Sequence, residues 1–147
     1  MVTSENICQN CGFLCQHKIK LTDEEFDLLN KNRVEVQFEK GETIIKQGTF
    51  ADHIVILQEG LLKKVIQSNN QRNIIIKINV PGDYIGLQTL GTNTPYPFST
   101  IAIKKSKVCI VRKEIIKEVF DRNKDFQNYL LSYFSDDYLF TVIAGLF

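Results

Sequence analysis

Between Val34 and Val111 apolar and polar residues alternate with a period of two, in short runs cut by glycine. Val34, Val36 and Phe38 alternate with Glu35 and Gln37, which predicts a half-buried strand. Lys40-Gly41 and Gln47-Gly48 turn the chain around a strand over 43–46, and HIVILQ predicts the next over 53–58. Glu59-Gly60 leads into a strand over 61–67. Its partner over 73–80 follows across the turn Ser68-Asn69-Asn70-Gln71. The run IIIKINV in that partner predicts a strand buried on much of both faces. Pro81-Gly82-Asp83 breaks it, and Ile85-Gly86-Leu87 comes next. After the turn-rich loop TLGTNTPYP, strands over 98–103 and 107–111 close the set. Closely spaced antiparallel strands of this kind escape open edges by curling into a barrel-like roll or double sheet.

On either side of this region the period lengthens to about 3.6. In LTDEEFDLLN, Thr22 and Glu25 form a capping box, and Leu21 with Phe26 fits the hydrophobic staple. Phe26, Leu28 and Leu29 give this short helix its buried side, and residues 30–33 end it. After Arg112, KEIIKEVF gathers Ile115, Ile116, Val119 and Phe120 on one side of a second helix. From Asp125 the sequence FQNYLLSYFSDDYLFTVIAGLF starts amphipathic, with Leu130, Phe134 and Tyr138 at helical spacing. It then turns apolar around most of its girth. A helix of that composition needs a second burying surface, and a parallel helix from a partner subunit is the simplest source. The candidate dimerisation residues are Leu131, Phe134, Tyr138, Leu139, Val142, Ile143 and Leu146. The sequence stops inside this helix without a cap or stop signal, as expected of a fragment of a longer protein. The expected partition is a cysteine-containing segment over 1–20, a β-roll over 21–122 and a dimerisation helix over 123–147.

Composition narrows the function classes. The 147 residues suffice for one domain with a core of its own. Eighteen basic against 17 acidic side chains, a net charge of +1, argue against a broad electrostatic grip on nucleic acid or on an acidic membrane. The start has no signal-peptide pattern and no apolar run is long enough to span a bilayer, so a cytoplasmic protein with reduced cysteines is expected. With two histidines far apart (His17 and His53) and neither a Gly-x-Ser-x-Gly nor a phosphate loop, no enzyme is expected. Lys63-Lys64 and Lys104-Lys105 read as solvated strand faces, His17 and His53 as loop or surface residues, and Tyr133, Phe134 and Tyr138 as packing residues.

The four cysteines ask for their own account. Cys8, Cys11 and Cys15 lie as C-x-x-C-x-x-x-C in a polar, loop-like lead-in, and Cys109 lies far downstream in SKVCIV. Four thiolates suit a tetrahedral structural zinc. Alternatively Cys109 is a small core residue and the other three hold nothing.

Three motifs together resemble the cyclic-nucleotide-binding fold: G-E-x-I-x-x-x-G over 41–48, D-x-I-x-I-L-Q-E-G over 52–60 and P-G-D-Y-I-G over 81–86. With the short and long helices that follow, residues 21–147 look like the effector domain of the CRP/FNR family of bacterial transcription regulators. The resemblance implies a jelly-roll-like β-roll, mainly β with helices, and a homodimer formed through the long helix. It places DNA contact in a C-terminal winged helix-turn-helix, which is expected to lie outside these 147 residues. It also implies a small-molecule effector inside the roll. The family's phosphate cassette carries a glutamate after the glycine of the I-G motif and an arginine ahead of a small residue pair. Here those places hold Leu87 and Phe98, in Gly86-Leu87-Gln88 and Phe98-Ser99-Thr100. A buried phosphate needs a cation, so cyclic AMP or GMP binding is not expected. The candidate pocket for another effector comprises Gly82, Asp83, Ile85, Gly86, Leu87, Gln88, Phe98, Ser99 and Thr100, unless side chains such as Phe98 fill it.

The oxygen-sensing FNR branch holds a [4Fe-4S] cluster on three N-terminal cysteines and one late in the roll. Resemblance to it implies the same use of Cys8, Cys11, Cys15 and Cys109, although Cys11 and Cys15 stand closer than the family spacing. Zinc or no metal at all remain the alternatives. The expected function is sensing and dimerisation in a transcription regulator. The competing expectation is a non-sensing assembly domain with an empty roll or a structural zinc. A cupin-like enzyme would need a His-rich metal site that His17 and His53 do not supply.

Overall fold

The computed structural model describes residues 20–70 and 72–143, the stretch 136–143 by its backbone alone. The first helix, α1 (Asp23–Asn32), is held at its start by the capping box that the sequence predicts. The Glu25 amide donates to Thr22 Oγ1 at 3.2 Å, and the Thr22 amide donates to Glu25 Oε1 at 3.0 Å. Each bond fills one of the amides that a helix start leaves open. Leu29 is fully buried beneath the helix, whereas Phe26 and Leu28 are half-buried.

Eight strands follow: β1 (Arg33–Phe38), β2 (Thr43–Ile45), β3 (His53–Glu59), β4 (Leu62–Gln67), β5 (Asn73–Asn79), β6 (Tyr84–Ile85), β7 (Ser99–Ala102) and β8 (Ser106–Arg112). They form two four-stranded antiparallel sheets, ordered β1-β8-β3-β6 and β2-β7-β4-β5. Two helices follow among the described residues, α2 (Lys113–Arg122) and α3 (Lys124–Ile143). This is the predicted roll, with strand boundaries within about one residue of those read from the alternation. The exception is the Ile85–Leu87 stretch, where a two-residue strand passes at Gly86 into a 3₁₀ turn over Leu87–Thr89.

Gly60 shows why the turns are written in glycine. Its φ of +103° is left-handed, and a Cβ there would stand 2.7 Å from Ser106 Cα. β3 can therefore pass into β4 at that point only with a bare backbone.

The period of two in β3 divides its side chains between two cores. Val55 and Leu57 point into the roll and pack with Ile45, Leu62, Ile85, Phe98, Ala102 and Val108. Ile54 and Ile56 point the other way, with Cys109 and Val111, toward Leu29, Ile116, Val119 and Phe126 of the helices. The first sheet is thus covered on both faces, by the second sheet and by the helical layer.

β5 departs from expectation. Ile74, Ile75 and Ile78 are 44%, 56% and 46% exposed, so this strand is not buried on both faces. Among the described residues it is the edge of the second sheet, with β4 as its only sheet neighbour and no layer over its apolar run.

Asn123 joins the helices to the lead-in. Its Oδ1 accepts from the Phe126 amide at 2.8 Å, capping α3. Its Nδ2 donates to the Lys20 carbonyl at 2.8 Å and to Glu25 Oε1 at 2.9 Å. Tyr133, one turn beyond Tyr129 on α3, donates its hydroxyl to the Tyr84 carbonyl at 2.7 Å. Its packing role is as the sequence predicts. Among the described residues no helix is long and apolar enough to cross a membrane.

Candidate functional site

The loop from β5 to β7 is fixed to β3 before it reaches the roll interior. The Gly82 amide donates to the Leu57 carbonyl at 2.8 Å and the Leu57 amide donates to the Asp83 carbonyl at 3.0 Å. The Asp83 carboxylate accepts from the Val80 amide at 3.1 Å and from Asn79 Nδ2 at 3.2 Å. Gly82 and Asp83 are thereby fixed in the turn. Gly86, at φ +98°, is closed in by the Tyr96 ring, which would lie 3.3 Å from a Cβ. The Tyr96 hydroxyl in turn donates to the His53 carbonyl. Burial raises the Tyr96 phenol pKa, the His53 backbone bond opposes that, and the nearby Asp52 charge adds to it.

The predicted pocket residues divide. Ile85, Phe98 and Thr100 face the roll interior, and Phe98 and Thr100 are 2% and 0% exposed. Ser99 faces the opposite way from its neighbours on β7, and its Oγ accepts from the Gln47 amide at 2.8 Å. Leu87 joins the helix-side core instead of the roll core. Gln88 and Leu87 border a cleft of about 220 Å³ with Phe120, Leu130 and Phe134. A second cleft of about 560 Å³ lies between the Asp83 turn and α3, lined among others by Lys77, Asp125 and Tyr129. Burial and the Asp83 charge push the Tyr129 phenol up to about 12.

Lys64 is the residue that the sequence analysis misplaced. It is 2% exposed rather than solvated, and its ammonium lies 4.4 Å from the centroid of the Phe98 ring. In the β4–β7 register Lys64 stands opposite Thr100, two places along from the pair Leu62 and Ala102, which packs in the roll core. The signal was present: Lys64 follows the inward Leu62 at i+2, the spacing that returns a strand side chain to the same face. Lys63, between them, is only half-buried.

Of the four cysteines, Cys109 is described. It is buried, 3% exposed, on the helix-facing side of β8. Cys8, Cys11 and Cys15, with His17, lie outside the described residues. The Lys20 carbonyl, bound by Asn123, fixes the point where the lead-in meets the fold on that same helical side. Of the candidate dimerisation residues, Leu131 is 67% exposed, while Phe134 is half-buried against its own chain. The side chains of Tyr138, Leu139, Val142 and Ile143, and all of Leu146, lie outside the described residues.

Residues 35–123 match the cyclic nucleotide-binding domain family. No curated protein matches the chain significantly. Among solved structures, the sensor domain of the transcriptional regulator DNR from Pseudomonas aeruginosa is similar at TM-score 0.78 and 17% identity. That match covers 92% of this chain and 91% of the other. The regulatory domain of Toxoplasma gondii protein kinase A, crystallised with cAMP, is similar at TM-score 0.73 and 21% identity, over 90% of this chain and 51% of that one. The regulatory subunit of a cAMP-independent protein kinase A from Trypanosoma brucei is similar at TM-score 0.72 and 18% identity, over 87% of this chain and 47% of that one. The chain thus spans about half the length of the kinase subunits it resembles and most of the DNR sensor domain. On the family match, over more than half its length, the chain belongs to the cyclic nucleotide-binding domain family.

Proposed function

We propose that this chain is the effector and dimerisation domain of a CRP/FNR-type transcription regulator whose effector is not a cyclic nucleotide. The observation that carries it is Phe98, buried in the roll where the family places a phosphate-binding arginine. An aromatic ring offers no donor to a phosphate, and Leu87 likewise has no carboxylate for a ribose hydroxyl. The similarity to a regulator's sensor domain over nearly its full length supports the regulatory reading. Leu131 on α3, largely exposed, supports a partner helix at that face. DNA contact belongs, in this reading, to a separate module. The effector would act by biasing how the long helices of two copies pair.

The signal is proposed to be a redox cue, through a [4Fe-4S] cluster on Cys8, Cys11, Cys15 and Cys109, or else a small molecule in the roll that is not a cyclic nucleotide. Support comes from Cys109 and the Lys20 anchor lying on the same, helical side of the first sheet. One experiment separates the alternatives: absorption, iron, sulfide and zinc analysis of protein purified without oxygen. A broad band near roughly 400 nm that disappears in Cys109→Ser is the expected result. One zinc per chain would support a structural site instead. Protein with neither metal, and monomeric by sedimentation, would overturn the sensory reading in favour of a plain assembly domain. The close packing of Phe98 and Lys64 inside the roll is what favours that second reading.

A further inference from the structure

Inside the roll, side chains from two adjacent strands converge on one spot. Lys64 on β4 and Thr100 on β7 are register partners, at 2% and 0% exposure, so their side chains leave the same face of the second sheet side by side. Phe98, two residues before Thr100, shares that face, and its ring lies under the Lys64 ammonium at 4.4 Å. Leu62, Ala102 and Ile45 occupy neighbouring positions of the same sheet. Thr100 Oγ1 is buried and has no hydrogen-bond partner among the described residues. A buried hydroxyl without a protein partner gains from a polar group seated beside it. The hydroxyl can donate to an anion that also faces the ammonium. Valine is nearly the same shape, so packing alone does not call for a hydroxyl at this position.

We propose that Lys64 and Thr100 form an anion site in the roll, which takes the charged head of a small carboxylic acid or phosphate monoester and not the singly charged cyclic diester of a cyclic nucleotide. Lys64 supplies the charge from a strand that contributes nothing to the family's arginine position, and Thr100 supplies a directed donor. Phe98 keeps the ammonium facing the site by covering it with its ring. The proposal rests on reading the roll as an effector pocket and names the chemistry of its ligand.

The test uses the full chain in a low-chloride zwitterionic buffer, with acetate and inorganic phosphate as separate probes, followed by NMR titration and thermal denaturation. Head groups of about four or five heavy atoms should bind in the millimolar range. The expected result is a saturable response to one of them, with shifts centred on Lys64, Phe98 and Thr100. Whichever probe responds identifies the head group as carboxylate or phosphate. Lys64→Met should weaken it at least tenfold and Lys64→Arg should retain most of it. Should Lys64→Met fail to fold, Thr100→Val carries the test, with a loss of at least threefold. An equal response in wild type and in these variants, or no saturable response to either probe, would overturn the site. Sedimentation of the same samples keeps the two readings apart. A dimer without anion binding refutes only this site, and anion binding by a strict monomer refutes only the regulator.

Discussion

β3 and β5 are both seven residues long and both dominated by aliphatic side chains, HIVILQE against NIIIKIN. In β3 the four residues from Ile54 to Leu57 are all buried, two toward the roll and two toward the helices. In β5 three isoleucines are close to half exposed or more. The difference is one of neighbours. β3 lies between β8 and β6, with a sheet on one face and helices on the other, whereas among the described residues β5 has a strand on one edge only. An apolar run states that a strand favours cover, and the topology decides whether this chain supplies it.

That contrast can be tested by substitution, and the largest effect belongs to β3. Leu57→Ala, at a fully buried position, should destabilise the protein by about 2–5 kcal/mol in urea denaturation. Asn123→Ala comes next. It removes the α3 cap and the bonds to Lys20 and Glu25 together, at a cost of about 1–3 kcal/mol by the same measurement. A smaller, pH-dependent effect belongs to Tyr129. Its pKa rises from 10.0 unfolded to about 12 folded, so the unfolded chain releases its proton first. Stability contributed by the neutral phenol is therefore full below about pH 10 and lost as pH climbs toward about 12, and Tyr129→Phe should flatten that decline. The smallest effect is expected at the edge: Ile75→Thr should change stability by no more than about 0.5 kcal/mol. A loss matching that of Leu57→Ala would mean that another surface covers β5 in solution.

What the sequence revealed and concealed follows the same division. The capping box, the order of the strands and the glycine turns are local, set by residues within three or four places of each other, and each is legible in the chain. The exposure of β5 and the burial of Lys64 are not local. The first depends on which strand ends at the sheet edge, and the second on β4 pairing with β7 so that Lys64 meets Thr100. Lys64 could have been found by counting two residues on from Leu62. Within the candidate pocket, Phe98 and Thr100 were legible as a pair on one face. The turn of Leu87 toward the helices was not, because it follows from the left-handed Gly86 and the 3₁₀ turn after it.

The most direct test of the functional account is calorimetric titration of the chain with cyclic AMP and cyclic GMP. With Phe98 in place of the phosphate's cation, the account predicts no saturable heat for either nucleotide up to millimolar concentration. Micromolar binding of either one, abolished by a change at Thr100 or Lys64, would contradict it and make the chain an ordinary cyclic-nucleotide receptor.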